Sequence, residues 1–535
     1  MKAARLKSRG SALGRDDRRV HSVGRRARRV VVCPASSSSE WLEESCRSLK
    51  LREDALVGAP EGPWRDLRNK NKNEEWRFSA TTLGRILGDE PDVLDRAEWS
   101  SAAERTDLAS YTSDLAEDLK SNPNYRQVLV KDGIIVSGGA GESGSGGLVV
   151  ATASGVEGTE DESALRFLDE AESKWIESSE GDSSGKAKHF FHHLGSALAR
   201  DDDGRGKEHL VLVAKDTAGS EDPHILHVFQ VIPRKKANST ACWSPAISVL
   251  VQANQNLVLI EEVVYEGEGN QDATESARIV LPRTRAFLHE KASLKHTVVH
   301  SGAKPRDVNI RSVHVTQSQS SKYDMLETRV AFGDAGAEGG LSNASLSRVE
   351  VEIEQIGEET ETLLKSLSLV STDGAAEESD SVGTRAPITH ELRTHARLAH
   401  RGGTIDQVAK MVASGGSSTC IFDGKVDVER YAQETDAAQI ARGLLLTRKA
   451  TINARPNLRI QADNVVASHG CTIADLEEDQ VFYLASRGVD EKTARSVLIG
   501  SFVREITQEF TKDLCFDRLA KRVDDAVENA LLLDA

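Results

Sequence analysis

The segment from His209 to about Val466 consists of short β-like runs that recur roughly every ten residues. Apolar and polar residues alternate in these runs, as they do in half-buried strands. The pattern of a helix between strands is missing, which excludes a βαβ sheet. More than twelve strands and few prolines fit a sandwich or a β-solenoid, and an aromatic content of 4 % favours the narrow aliphatic core of a solenoid.

The flanking segments have helical spacing. From Trp41 to about Asn122, apolar residues such as Leu83, Ile86 and Leu94 recur at helical intervals. The last segment predicts one helix that stops at Gly488, a second from Asp490 and a third near the end of the chain. Between these zones we expect a β pair at 125–138, a Gly/Ser/Glu-rich insertion with a helix near 163–176, and an amphipathic helix near 189–202. The domains expected are therefore 38–124 (helical), 125–208, 209–468 (β core) and 469–535 (helical).

Charge and cysteine content limit the function classes. The net charge of −16 argues against a general nucleic-acid binder, which needs a basic surface. Apolar runs stay shorter than the roughly 20 residues that span a bilayer, so no membrane segment is expected. The six cysteines are scattered without a CxxC pair, which excludes a zinc ribbon and favours a reducing compartment.

The N-terminus has a different composition from the rest. Residues 1–35 contain eleven Lys/Arg and two Asp, whereas residues 36–535 contain 57 basic and 82 acidic residues, a net charge of −25. A basic, serine-bearing, acid-poor start predicts a transit peptide at about 1–37, for the plastid stroma first and the mitochondrion second. A disordered basic tail or a nuclear signal is the alternative.

Two glycine-rich stretches imitate nucleotide-binding motifs. Gly139–Gly144 matches GxGxxG, but the residues that follow do not open a helix. Gly181–Ala187 has the wrong spacing for a P-loop, and Ala187 stands where Ser or Thr must reach magnesium. The sequence thus predicts no ATP site of its own, and nothing in it marks a flavin site.

Three stretches resemble one known family. These are RPNLRIQADNVVASHGCTIADLEEDQVFYLASRG (Arg455–Gly488), the preceding block FDGKVDVERYAQETDAAQIARGLLLTRKATINARPNL, and NKNEEWRFSATTL (Asn71–Leu83). They are similar to segments of the SufB/SufD family of the SUF iron–sulfur cluster assembly complex, most specifically across Thr419–Phe510. The resemblance implies N-terminal helices, a central right-handed parallel β-helix and a C-terminal helical domain.

Within that family the chain looks like SufD. SufB-like chains carry Cys-Asp-Ser-Leu-Leu where this sequence has Ala441–Leu445, and His-Glu-Ala where it has Ser468–Gly470. Two departures stand out: Ala467 occupies a position that is often Cys in SufD-like chains, and Asp423 replaces the usual Asn.

The resemblance implies a non-catalytic subunit that pairs with SufB through β-helix strands and docks the SufC ATPase through its C-terminal helices. It also implies His469 as a ligand of a transient iron–sulfur cluster shared with the partner, and Cys471 is a weaker candidate. The alternative for His469 is a structural residue that satisfies backbone groups at a domain junction.

The C-terminal helices offer a partner surface in which acids surround aromatic anchors. Its expected members are Glu477, Glu478, Gln480, Phe482, Tyr483 and Arg487. Alternatively, Phe482 and Leu484 pack onto the end of the solenoid. The competing functions are a carbohydrate-active or adhesive β-helix protein, or a SufB-like scaffold acting alone, which the absence of the Cys-Asp-Ser-Leu-Leu cysteine opposes.

Overall fold

The computed structural model describes residues 79, 82–83, 86, 94–96, 124–131, 134–137, 147–152, 162–177, 191–192, 194–195, 209–215, 223–232, 240–265, 277–301, 306–332, 344–372 and 387–514. The expected transit peptide at 1–37, most of the region 38–124 and nearly all of the expected third C-terminal helix lie outside these residues. Among the described helices, none combines the length and apolar character that crossing a membrane requires.

The strands form two sheets, here called sheet 1 and sheet 2. Sheet 1 contains β1 (Leu94–Arg96), β4 (Leu148–Thr152), β5 (His209–Ala214), β7 (Thr240–Trp243), β8 (Ala246–Val251), β10 (Arg278–Val280), β11 (Arg283–Leu288), β13 (Asp307–Gln317), β15 (Ser345–Gln355), β17 (Ile388–Leu398), β19 (Ser418–Val428) and β21 (Thr451–Ile460). Sheet 2 contains β2 (Tyr125–Lys131), β3 (Ile134–Ser137), β6 (His224–Ile232), β9 (Asn256–Tyr265), β12 (Ser293–Ser301), β14 (Lys322–Phe332), β16 (Glu361–Ser371), β18 (Thr404–Ser414), β20 (Thr435–Leu445) and β22 (Val465–Ala474).

From β11 to β22, consecutive strands alternate between the two sheets. Each strand pairs in parallel with the strand two places along the chain, so that β19 lies between β17 and β21. One strand of sheet 1 and the following strand of sheet 2 therefore form one coil together, and the next coil stacks on it in register. This is a parallel β-helix, as expected, and it excludes the alternative of a sandwich, whose sheets are antiparallel.

Alternate residues of each strand fill the space between the sheets. In β19, Cys420, Phe422 and Val426 point inward and belong to one continuous interior cluster built mainly from Val, Leu, Ile and Ala. The aliphatic interior accounts for the low aromatic content, because a narrow space between two sheets has little room for rings.

One corner of the β-helix is a stack of left-handed residues. Each turn from sheet 1 to sheet 2, from the coil of β8 to the coil of β19, holds one residue at positive φ, which donates its N–H to a carbonyl of the following coil at 2.6 to 3.0 Å. The stacked residues are Asn254, Lys291, Ser320, Glu359, Gly402 and Glu434. Five of the six are not glycine, so the inter-coil hydrogen bonds offset a conformational cost of roughly 1–2 kcal/mol at each.

Helices flank the β-helix. The helices are α1 (Glu162–Glu177), near its predicted place, α2 (Glu478–Ser486) and α3 (Glu491–Leu514). Gly488 ends α2 at a φ of 87°, and Asp490 caps α3 by accepting the N–H of Thr493 at 2.9 Å, in line with the two predicted helix boundaries. Of the amphipathic helix expected near 189–202, only residues 191–192 and 194–195 are described, and these are helical.

The structure corrects the sequence prediction in several elements. Leu94, expected on a helix face, lies in β1, which pairs in parallel with β7. In addition, the strands β4, β7, β11, β18, β20 and β22 were not predicted, and β4 lies in the expected Gly/Ser/Glu-rich insertion. In β18, β20 and β22, interspersed Ala, Gln, Lys and Gly weaken the pattern of β-branched and aromatic residues that signals a strand.

Candidate functional site

The β-helix ends at an open coil made of β21 and β22. Among the residues that the structure describes, each of these strands is hydrogen-bonded to one neighbour only, β19 or β20, so each is the edge of its sheet there. Several apolar side chains of the last coil are solvent-exposed: Ile460 by 43 %, Val466 by 66 % and Ile473 by 36 %. Solenoids require a polar cap at such an end, since an uncapped coil exposes both apolar side chains and unpaired backbone groups.

His469 lies in the middle of β22, in register with Gln439 of the preceding coil. The prediction of a seam between the last strand and the helices is therefore wrong, since β22 continues through the expected boundary at 468 to Ala474. Val465 and Ala467, which share the strand face of His469, pack against the interior cluster. The imidazole thus stands on the inward face of the open coil, where it is exposed.

The described residues give His469 no hydrogen bond or ion pair. The alternative interpretation, in which this ring satisfies backbone groups at a junction, has no support among them. Gly470 points to the opposite face, and a Cβ placed there would meet nothing within 4 Å.

Directly inside His469 lies an unused hydrogen-bond acceptor. Gln439 is fully buried, and its amide nitrogen donates to Oε1 of Gln407 at 3.0 Å. Gln407 in turn donates to Thr394 at 2.7 Å, so a short polar row runs inward from the open coil. Oε1 of Gln439 has no hydrogen-bond partner among the described residues. Such an oxygen can accept the N–H of one imidazole nitrogen and so leave the other nitrogen as a ligand.

Cys471 is the one exposed free cysteine among the described residues, two positions along β22 from His469. Residues two apart on a strand face the same way at a separation of roughly 6–7 Å. Cys420 is buried instead, and burial raises the pKa of its thiol to about 12, which keeps it protonated. Within the described part of the chain, no three His, Cys, Asp or Glu side chains come together as a metal site, so a cluster at His469 needs ligands from another source.

The residues predicted for a partner surface lie on and beside α2. This helix has no buried residue, and Phe482 and Tyr483 are exposed by 74 % and 57 %. In the alternative interpretation Phe482 and Leu484 pack onto the solenoid end; Phe482 does not, and Leu484 is half-buried.

Polar contacts hold the other predicted residues of this surface together locally. Glu477 precedes the first turn and accepts a hydrogen bond from Gln480 at 2.8 Å, and Glu478 opens the helix. The Arg487 guanidinium lies 5.3 Å from the Tyr483 ring centroid. The structure thus brings the six predicted residues to one short, exposed helix and its two ends.

The longer helix α3 connects this surface to the β-helix. Ile499, Val503 and Ile506 pack on the outer face of sheet 2. Lys410 of β18 also reaches up to α3, where its ammonium donates to the Phe502 carbonyl at 2.7 Å.

Two arginines on the edge strand β21 were not predicted as functional residues. Arg455 and Arg459 each make a two-point contact with an aspartate 32 residues earlier, Asp423 and Asp427. The sequence contains the two Asp and the two Arg with the same four-residue spacing. Only the register of the coils shows that each Arg lies beside one of the Asp residues.

Comparisons with known proteins agree with this architecture. Residues 234–502 match the family model described as the SufBD core domain of SUF system FeS cluster assembly. Among curated proteins, "Protein ABCI7, chloroplastic" of Arabidopsis thaliana is 33% identical over 267 residues, which are 50% of this chain and 49% of that protein. A SufBD family iron-sulfur cluster assembly protein of Synechocystis is 32% identical over 223 residues, 42% of this chain and 43% of that one.

The SufD iron-sulfur cluster assembly protein of Escherichia coli is 32% identical over 125 residues, 23% of this chain and 29% of its own length. The chain thus spans half or less of the length of each of these relatives. The family model, however, covers half of the chain, including both edge strands, α2 and the first half of α3. The chain belongs to the SufBD family of the SUF iron–sulfur cluster assembly system.

Proposed function

We propose that this chain is a non-catalytic, SufD-like subunit of an iron–sulfur cluster assembly scaffold. In this proposal it pairs with a SufB-like subunit through the open coil, and it docks a SufC-like ATPase through α2 and α3, so that the ATP chemistry belongs to the partner. The observation that carries the proposal is the last described coil, in which both sheets have an edge with no pairing strand among the described residues and apolar side chains are exposed. The addition of strands from a matching chain would satisfy both.

The hydrogen-bond pattern of β21 gives a sharp test of strand addition. Gln461 donates its N–H to the Val428 carbonyl of β19 at 2.8 Å, and Val428 is in register with Ile460. Because successive residues of a strand direct their backbone groups to opposite sides, Ile460 directs its N–H to the free edge. Ile460→Pro therefore removes an N–H that a partner strand would use, and it leaves the bonds to β19 in place.

The test compares three versions of the chain, each co-purified with a SufB-like subunit. The wild type and Ile460→Ala, which keeps the N–H, should form a complex in native mass spectrometry, whereas folded Ile460→Pro should lose it. A complex of unaltered strength with Ile460→Pro would refute pairing through this edge.

For the cluster, we propose His469 as a ligand and Gln439 as the residue that fixes its tautomer. His469→Ala should leave folding, complex formation and the ATPase activity of the partner unchanged, because the ring is exposed and makes no hydrogen bond or ion pair among the described residues. The same variant should strongly lower the charge-transfer absorbance of a reconstituted cluster. Gln439→Met should lower cluster retention by roughly 10–100-fold, as the loss of an outer partner of a metal-bound histidine does elsewhere.

Ser468→Ala is the matched control, since Ser468 neighbours His469 but has the opposite strand parity. Wild-type accumulation of cluster in the His469→Ala complex would refute the ligand role. A carbohydrate-active enzyme, the competing function, would need carboxylates stacked on successive coils. On the outer face of sheet 1, however, Asp423 and Asp427 each lie in register between arginines of the preceding and following coils.

For localisation, we propose the plastid. The relative from Arabidopsis is named as chloroplastic, and the first 35 residues are basic and poor in acids. The mature protein should then begin near residues 33–39. An intact Met1 on protein recovered from the organelle would contradict this, and recovery from mitochondria would support the second choice.

A further inference from the structure

The outer face of sheet 1 contains two columns of alternating charge. In the register of the coils, Glu350, Arg393, Asp423 and Arg455 form one column, and Glu354, Arg397, Asp427 and Arg459 form the other. Each column runs through β15, β17, β19 and β21 in the order acid, base, acid, base. The two columns lie four residues apart on every strand, a separation of roughly 13 Å.

The aspartates of β19 are saturated by cations. Asp423 accepts hydrogen bonds from Arg455 at 3.0 and 2.6 Å, and Arg393 lies 3.0 Å away. Asp427 accepts from Arg459 at 3.0 and 2.9 Å, and it also binds His395 at 3.0 Å. Burial alone would raise the pKa of both carboxyl groups, but Arg455 and Arg393 hold the pKa of Asp423 below its ordinary value. His395 and Lys425 do the same for the pKa of Asp427, so both carboxyl groups are charged at neutral pH.

Each column stops at an arginine on the free edge. The Arg455 and Arg459 side chains are 43% and 57% exposed, although both contact an aspartate of the coil below. The other outward residues of β21 are Thr451, Asn453 and Asn457, so the outer face of this edge carries two positive charges and no negative one. The outward residues of β22, at the edge of sheet 2, carry no charge.

We infer that the strand that extends sheet 1 at β21 presents two carboxylates, four residues apart, opposite Arg455 and Arg459. This rests on the proposed function, because it specifies the partner of the same open coil. A partner strand of this kind continues both columns by one step, and the four-residue spacing holds whether it runs parallel or antiparallel.

The same charges disfavour a second copy of this chain as the partner. If β21 pairs with β21 of a second copy about a two-fold axis, the two strands run antiparallel. When the axis passes through Asn457, Arg455 of each copy lies opposite Arg459 of the other copy. Like charges directly opposite on neighbouring strands are destabilising, whereas opposite charges stabilise. The arginines thus select a different, acidic chain over self-association.

The inference is tested with the SufB-like subunit from the same genome as the probe. The dissociation constant of the complex is measured by sedimentation at about 50 and 500 mM salt, because screening separates exposed charge effects from apolar contact. The variants are Arg455→Glu/Arg459→Glu and the milder Arg455→Gln/Arg459→Gln. The control is Lys322→Glu/Arg401→Glu, which makes the same charge change at exposed sites away from the edge strands.

At low salt the double-Glu variant should bind about tenfold or more weakly than wild type, the double-Gln variant should be intermediate, and the control should bind like wild type. High salt should shrink these differences. A photo-reactive phenylalanine analogue in place of Asn457 should cross-link to a partner strand that contains two Asp or Glu four residues apart.

Equal binding of wild type and double-Glu variant at low salt, or a cross-linked strand without such carboxylates, would overturn the charge complementarity and leave the proposed pairing standing. If wild type forms no complex with the SufB-like subunit, the proposed function itself fails. A wild-type homodimer through β21 would overturn the selection against self-association.

Discussion

Replacing Glu505 by glutamine tests how α3 is held on the β-helix. Lys410 of β18 is fully buried, and its ammonium donates to the Phe502 carbonyl, forms an ion pair with Glu505 and lies 4.4 Å from the Phe502 ring centroid. Burial lowers the pKa of Lys410 despite these partners. The hydrogen bond from Lys410 in turn lowers the pKa of Glu505.

The size of the effect follows from what remains after the change. Glu505→Gln leaves the buried ammonium with only the carbonyl and the ring, beside Arg442, whose Nη1 lies 3.7 Å from the same carboxylate. A hydrogen bond to a charged group contributes about 1.5–3 kcal/mol, but the Glu505 side chain is 59% exposed, and solvent screens such a pair. We expect a loss of about 1–2 kcal/mol in the free energy that keeps α3 docked. This lowers the equilibrium constant for docking of α3 by a factor of roughly 5–30.

Lys410→Met should cost less than Glu505→Gln. It replaces the buried charge by an apolar side chain of similar size, and such replacements are often neutral. The counter-ion that remains, Glu505, is largely in solvent and needs no partner.

The assay is hydrogen–deuterium exchange of peptides that cover residues 499–507. The matched control is Glu361→Gln, which breaks a Glu–Lys pair with Lys322 at 2.8 Å in which both side chains are exposed, and it should change little. Acidification should mimic Glu505→Gln, because the contribution of a carboxylate with a lowered pKa is present above its ordinary value and is lost as pH falls through the folded pKa. The reasoning is refuted if Lys410→Met speeds exchange as much as Glu505→Gln, or if Glu505→Gln has no effect.

Three further expectations concern the last coils. Burial would lower the pKa of His395, but its contacts with Glu352 at 2.7 Å and Asp427 at 3.0 Å raise the pKa above its ordinary value. The charged ring therefore stabilises the fold fully below about pH 6.5, and this contribution is lost as pH rises through the folded pKa. Urea denaturation across this range should show the decline in stability, and His395→Gln should abolish this pH dependence. Gly424→Ala should destabilise the protein by about 1–3 kcal/mol, since the added Cβ would lie 2.4 Å from Phe422 Cζ. Gly470→Ala should keep a stability within about 0.5 kcal/mol of wild type. Equal melting temperatures for the two variants would contradict the close packing at Gly424. Cys471→Ser should reduce cluster build-up less than His469→Ala does in the same reconstitution, and the reverse order would make the thiol the main ligand.

Much of the fold could be predicted from the sequence, and the strands of sheet 2 that were missed in the last coils share one physical cause. An alternating run of sheet 1 such as Ser418–Val428 is visible because four of its eleven residues are Val, Ile or Phe. The strands β18, β20 and β22 are not, because residues such as Ala437 and Ala441 occupy their inward positions. An alanine is a poor signal for a strand, and these segments are extended because each lies in register on a neighbouring coil.

The candidate site divides in the same way. His469 and the exposed aromatics of α2 could be named from the sequence, because a family motif contains the first and a helical pattern the others. The polar row beneath His469 could not, since Gln407 and Gln439 are 32 residues apart and meet only when two coils stack. The contacts of the β21 arginines could not be predicted either, since each arginine meets an aspartate of another coil 32 residues earlier in the chain.

The sequence by itself determined the period of the strands, the aliphatic character of the interior and the places where α2 ends and α3 begins. Those properties depend on side-chain chemistry and on contacts between near neighbours in the chain. Only the tertiary structure decided which residues stack, which corner holds five non-glycine residues at positive φ, and which coil is left open. These depend on register between segments some 30 to 40 residues apart, because each coil supplies the hydrogen-bond partners of the next coil, and in the described part of the chain no coil follows the last one.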